Sequence, residues 1–219
     1  MHRVLLLIIT ALTLSFNAVA AHAENIELQG YGAFSNLNKD WMLMALYVDI
    51  TGNNAEHSGQ ISTPQSSTPQ RLEIKIAPEK LSQRRFRSLW LNALAIEHGA
   101  EKMAAMDAEL SQFFNIIQDT LQTGDTLIIE RSALENGVRS EVRVNYHTLA
   151  NLSAEFLPLL VQSLVGKHPP TQALKTGLTG EDSLRSQTNL GIRFDRLEPT
   201  LPRIAEISRW GKGILASYP

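Results

Sequence analysis

The sequence predicts an α+β domain in which helices are inserted between the strands of a layer, and three observations carry that prediction. Leu72, Ile74 and Ile76 alternate with Glu73 and Lys75, the period of two that gives a strand one buried face. Between Met103 and Leu121, apolar side chains recur at every third or fourth residue, the stripe of an amphipathic helix. Strand-like and helix-like segments do not alternate regularly and no internal repeat is visible, so regular βαβ winding is not expected.

The elements follow in chain order. His2 and Arg3 precede an apolar run from Val4 to Phe16, and Ala21-His22-Ala23 places small residues where a signal peptidase reads. This is the three-part pattern of a secretory signal, with cleavage expected after Ala23 and the mature chain starting at Glu24. The run is shorter than the roughly 20 apolar residues of a spanning helix. An uncleaved anchor is the alternative, and no Cys follows to carry a lipoprotein anchor. The expected location is the periplasm. Arg3 is the only Asp, Glu, Lys or Arg in Met1–Ala23, so cleavage takes the net charge from −2 to −3. Nothing later is apolar and long enough to span a membrane.

Trp41 to Val48 is a continuous apolar run and reads as a strand buried on both faces. Thr51–Gln70 is rich in Ser, Thr, Gly, Asn, Gln and Pro and reads as a mobile surface loop. Pro78 opens a helix running to His98, with Gly99 as its stop. A second helix is expected from about Glu101 to Gln122, ended by Gly124. Thr126–Arg131 reads as a strand, Glu135-Asn136-Gly137 as a turn, and Val138, Val142 and Val144 as the return strand. Ser153 is expected to cap a helix carrying Phe156, Leu157, Leu160, Val161 and Leu164, closed by Gly166 before Pro169-Pro170. Leu201, Ile204, Ile207 and Trp210, after Pro199 and Pro202, form a short amphipathic segment that either caps its own domain or meets a partner.

Bulk composition narrows the classes of function. Apolar residues make up 43% of the chain, enough for an ordinary core. A net charge near zero leaves no global field to draw the protein to nucleic acid. With no cysteine, disulfides, thiolate chemistry and cysteine-bound metals are excluded. The motifs of catalysis are missing too: there is no G-x-S-x-G elbow, no phosphate-binding glycine loop and no H-E-x-x-H. His57, His98, His147 and His168 are scattered singly, so no metal and no cofactor is inferred. Gly30-Tyr31-Gly32 matches part of a dinucleotide fingerprint, but no helix start follows and it reads as a turn. Arg71, Arg84, Arg85 and Arg87 form either an anion or partner patch or, the plainer reading, a solvated helix face. Met103 and Met106 read as core packing, although methionines also line adaptable apolar pockets.

Four segments, in order, resemble the chalcone-isomerase-like family, and its exported bacterial members in particular. They are Gly30-x-Gly32 with Lys39, Trp41 and Ala45-Leu46-Tyr47-Val48; Arg71-Leu72-Glu73-Ile74 running on past Pro78; Gly124 to Ile129 with the Asn136-Gly137 hairpin; and Ser163-Leu164-Val165-Gly166-Lys167 with Pro169, Pro170 and Ala173 to Leu178. They cover about Ile26 to Gly180, which gives a domain over residues 24–180 and an uncovered C-terminal extension over 181–219.

The resemblance implies a large antiparallel sheet backed by a layer of helices, with a cleft between them that in the family either cyclises a chalcone or holds a fatty acid. It also implies site positions. The family's arginine, two residues beyond the second glycine, falls at Phe34; its hydroxyl residue on the next strand at Met42; its tyrosine near Leu81; and its hydroxyl before Leu-Val-Gly is kept as Ser163. Cyclisation needs an enolate-like oxygen stabilised and a phenolate positioned, and Phe, Met and Leu supply neither. The expectation is therefore a non-catalytic exported protein binding an apolar or amphipathic small molecule, such as a fatty acid or lipid, in a cleft lined by Phe34, Met42, Leu81 and Ser163. A structural or partner-binding envelope protein with a vestigial cleft is the first alternative, and an intramolecular lyase or isomerase the second. A cleft filled by its own side chains would count against ligand binding.

Overall fold

The computed structural model describes residues 26–49, 68–134 and 137–216. Its centre is one antiparallel sheet made of β1 (Ile26–Asn36), β2 (Lys39–Asp49), β3 (Thr68–Ile76), β6 (Thr126–Leu134), β7 (Gly137–Val144) and β8 (His147–Leu152), in that spatial order. A two-stranded ribbon, β4 (Lys80–Leu81) with β5 (Leu121–Gln122), lies apart from it. The helices are α1 (Gln83–Ala105), α2 (Asp107–Asn115), α3 (Phe156–Val165), α4 (Gln172–Leu178), α5 (Leu184–Asp195) and α6 (Leu201–Ala216).

Strand alternation decides which side chains meet the helices. Met42, Met44 and Leu46 of β2, with Leu72, Ile74 and Ile76 of β3, bury one face against Phe86 and Trp90 of α1, Phe113 and Phe114 of α2 and Phe156 of α3. Burying each such side chain contributes about 1.5–3 kcal/mol. The five aromatic rings interlock at centroid distances of 5.2–6.4 Å, so their shape fixes one arrangement. On the opposite face Leu43 and Ala45 pack under Phe194 of α5. That explains the unbroken apolar run of β2: it has helices on both sides. The second face of β3 is correspondingly drier than its alternation predicts, since Lys75 is buried with its ammonium 4.5 Å from the Phe194 ring.

Several local expectations change. Gly30-Tyr31-Gly32 is not a turn but part of β1, where α4 lies so close that a methyl group on Gly30 would collide with the Gly177 carbonyl oxygen. The helix after Pro78 starts later, at Gln83, because Lys80–Leu81 pair as strand and the Ser82 hydroxyl caps the helix by accepting from Arg85 N–H. Gly99 does stop the first helical stretch, at φ 73°, and a second stretch runs on to Ala105 and, past Met106, continues as α2; it ends earlier than expected, at Asn115, and Leu121–Gln122 pair as strand. Ser153 does not cap α3 with its side chain. Its hydroxyl and N–H both donate to Glu109, tying the start of α3 to α2. The polar loop ends earlier than Gln70, since Thr68–Gln70 belong to β3; residues 50–67 with His57, and the expected signal segment, lie outside the described residues. Leu134 pairs with Gly137, which therefore opens β7 instead of sitting inside the expected turn; residues 135–136 also lie outside the described residues.

The extension after residue 180 packs on the same body. Ile207 and Trp210 of α6 join the main core. Arg203 of α6, 5% exposed, donates to both oxygens of the wholly buried Asp125 at 2.8–3.1 Å and to the Thr120 carbonyl at 2.8 Å. Asn145 completes the network by donating to Asp125 at 2.7 Å and accepting from Thr126 N–H at 2.8 Å.

Candidate functional site

Phe34 and Met42 face each other across β1 and β2 in register. Beyond that pair the four expected cleft positions diverge. Met42 and Leu81 are essentially without exposure, packed into the core, and Leu81 sits on β4 opposite Leu121 rather than at a helix start. Ser163 is also fully buried, and its hydroxyl donates to the Leu160 carbonyl one turn back at 2.7 Å. The gap between sheet and helices is thus filled at these positions by the protein's own side chains. Phe34 alone fronts open space, with its ring 6.3 Å from that of Trp90.

That space is a cleft of about 710 Å3. Its floor is Phe34 with Leu89 and Ala93 of α1, and its far wall is the segment Lys167–Gln172 between α3 and α4. The far wall is held by a buried carboxylate. Glu97 of α1 accepts the backbone N–H groups of Lys167 at 3.1 Å and His168 at 2.7 Å, while His168 Nδ1 lies 3.4 Å away. Gly166 is needed there, because a Cβ would collide with the Glu97 carboxylate. Burial alone would raise the Glu97 carboxyl, but the two N–H donors outweigh it and hold it below the usual carboxylate range. A charged carboxylate so enclosed fixes the backbone that carries Lys167 and His168 along the cleft. Neither residue was singled out in the sequence for this site, and the partner that positions them is 70 residues away.

The arginines separate. Arg71 pairs with Glu130 across β3 and β6, whereas Arg84, Arg85 and Arg87 are exposed on the first turns of α1 and do not line the cleft. Met106 is buried and Met103 half-buried against the core, as packing requires. His98 bonds the Leu159 carbonyl, and among the described residues no group of three or more His, Asp or Glu is placed to hold a metal ion. No helix among them is long and apolar enough to cross a membrane.

A family model described as chalcone isomerase-like matches residues 14–180. Among solved structures, the chain resembles the crystal structure of the Arabidopsis thaliana fatty-acid binding protein AtFAP1, with a TM-score of 0.51 and 14% identity over 72% of this chain and 88% of that one. That likeness establishes a shared fold. Among curated proteins, none matches.

Proposed function

The chain belongs to the chalcone isomerase-like family, and from that premise we propose that it is a non-catalytic binding protein for an amphipathic small molecule such as a fatty acid or lipid. The observation that carries this reading is the Phe34 cleft: apolar floor, Lys167 and His168 along one wall, and about 710 Å3, inside the 300–1,000 Å3 range of small-molecule sites. An acyl chain gains from the floor by area. A carboxylate or phosphate gains from the ammonium of Lys167, which takes over the part lost with an arginine at position 34. The fold it shares with a fatty-acid binding protein makes fatty acids the first class to try.

The chemistry of the site supports binding over catalysis. Phe34, Met42 and Leu81 have no proton to give an enolate oxygen, and Ser163 has spent its own on Leu160. We also place the protein in the periplasm, released by cleavage after Ala23; the intact mass of protein from that compartment checks the cut. The packed interior favours one other reading, a partner-binding protein whose family cleft is vestigial.

Native mass spectrometry of protein purified gently from its own source, with organic extraction, separates the two. A defined fatty acid or lipid that comes off, and is lost on Lys167→Glu, supports the binding reading. A clean apo mass, unchanged after incubation with palmitate, transfers the function to a protein partner.

A further inference from the structure

Two large apolar side chains stand in water on the rim of the Phe34 cleft. Leu37 is 89% exposed and Ile96 of α1 is 65% exposed, and both line the opening. Leu37 is strained as well as exposed. With Asn38 it makes the two-residue turn joining β1 and β2, at φ 52° and 57°. That left-handed pair suits Asn and Gly and is unfavourable for a leucine. Position 37 therefore carries two local penalties, and its side chain finds no core to offset either. Strain kept beside an open site calls for a reason in function.

Cations flank the same rim. Lys39, two residues beyond Leu37, is exposed, with its ammonium 4.5 Å from the Trp41 ring. The Arg85 guanidinium lies 4.7 Å from that ring. Lys167 adds a charge on the opposite wall. The nearby carboxylates are occupied: Asp40 by Arg193 and Ser35, Glu97 by two backbone N–H groups. An apolar tip ringed by basic residues and an aromatic side chain is the composition that seats at a bilayer interface.

We propose that the mouth of the cleft docks on an anionic phospholipid surface, with Leu37 and Ile96 entering the boundary between headgroups and acyl chains and Lys39, Arg85 and Lys167 meeting lipid phosphates. This rests on the ligand-binding reading and adds its route, since an amphipathic ligand then passes between bilayer and cleft without crossing water.

Flotation with vesicles of phosphatidylglycerol and phosphatidylethanolamine, against vesicles of phosphatidylcholine, tests it. The protein is expected on the anionic vesicles and released by salt. Leu37→Asn, which relieves the turn and so folds, should weaken the partition about tenfold. Lys39→Glu, outside the cleft, should weaken it about fivefold or more while leaving palmitate uptake from vesicle-free buffer unchanged. Equal partition on both vesicle types, or wild-type partition retained by both variants, overturns the proposal. Palmitate uptake without vesicle binding overturns docking and leaves the ligand reading standing. Vesicle binding without palmitate uptake does the reverse. Capture of a protein at Leu37 with no vesicle binding also overturns docking.

Discussion

Two tight turns close the same end of the sheet, at its two edges, and they are used in opposite ways. Leu37-Asn38 joins β1 to β2 and Asn145-Tyr146 joins β7 to β8, and all four residues have positive φ. At the β8 side Asn145 is fully buried, and Asp125 and Arg203 of α6 lock it to the core. At the β1 side Leu37 projects over an open cleft. One backbone geometry therefore serves as an anchor when a polar network holds it and as an exposed tip when nothing does. The difference lies in what each turn meets, not in the turn.

The contrast can be broken or sharpened by substitution, starting where the effect is greatest. Phe34 and Met42 are cross-strand partners on either side of the boundary between open and closed. Met42→Arg buries an unpaired charge and should abolish cooperative folding, a cost of several kcal/mol. Phe34→Arg can reach water through the cleft and should stay folded by circular dichroism, with palmitate affinity raised if the guanidinium meets the carboxylate. If both variants unfold, the open corner is not open. At the locked corner, Arg203→Met leaves the buried Asp125 carboxylate without its cation and should cost about 3–5 kcal/mol in urea denaturation, with α6 becoming susceptible to protease. A loss no larger than a surface substitution would remove the lock.

The third test returns to the cleft wall. Glu97→Gln removes a charged acceptor from two N–H groups and should cost about 1.5–3 kcal/mol at neutral pH. Because the folded-state pKa of Glu97 is depressed, its contribution is present above the ordinary carboxylate range and lost as pH falls through the folded value. The melting temperatures of wild type and variant should therefore converge in acid. The smallest effect is a gain: Leu37→Asn should stabilise the protein by about 1–2 kcal/mol, since asparagine tolerates the left-handed conformation that leucine does not.

What could be read in advance followed chain proximity. The continuous apolar run of β2 announced burial on both faces before any helix was placed there, because a strand shows its two environments in adjacent residues. Counting from Gly32 reaches Phe34 and counting along the next strand reaches Met42, and the two are register partners. The cleft wall was not legible. Lys167 and His168 look like any polar residues ahead of a Pro-Pro step until Glu97 is brought under them, and no local pattern encodes a partner 70 residues earlier. The same holds for Arg203 and Asp125, 78 residues apart. The resemblance puts Leu81 and Ser163 at cleft positions, but counting along a motif carries no information on whether the space beside a residue is occupied. Here both side chains are buried.

β1 is the last strand on its side of the sheet and has backbone groups to spare. Gln187 of α5 takes the place of a neighbour at one rung, accepting the Tyr31 N–H at 2.8 Å and donating to the Tyr31 carbonyl at 3.2 Å. A second donor bond, to the Gly177 carbonyl at 2.8 Å, holds that amide still. A bare edge invites another molecule to add its own strand, and then a third. By presenting a side-chain amide where a second copy would bring a peptide group, the chain blocks strand addition at that rung of β1.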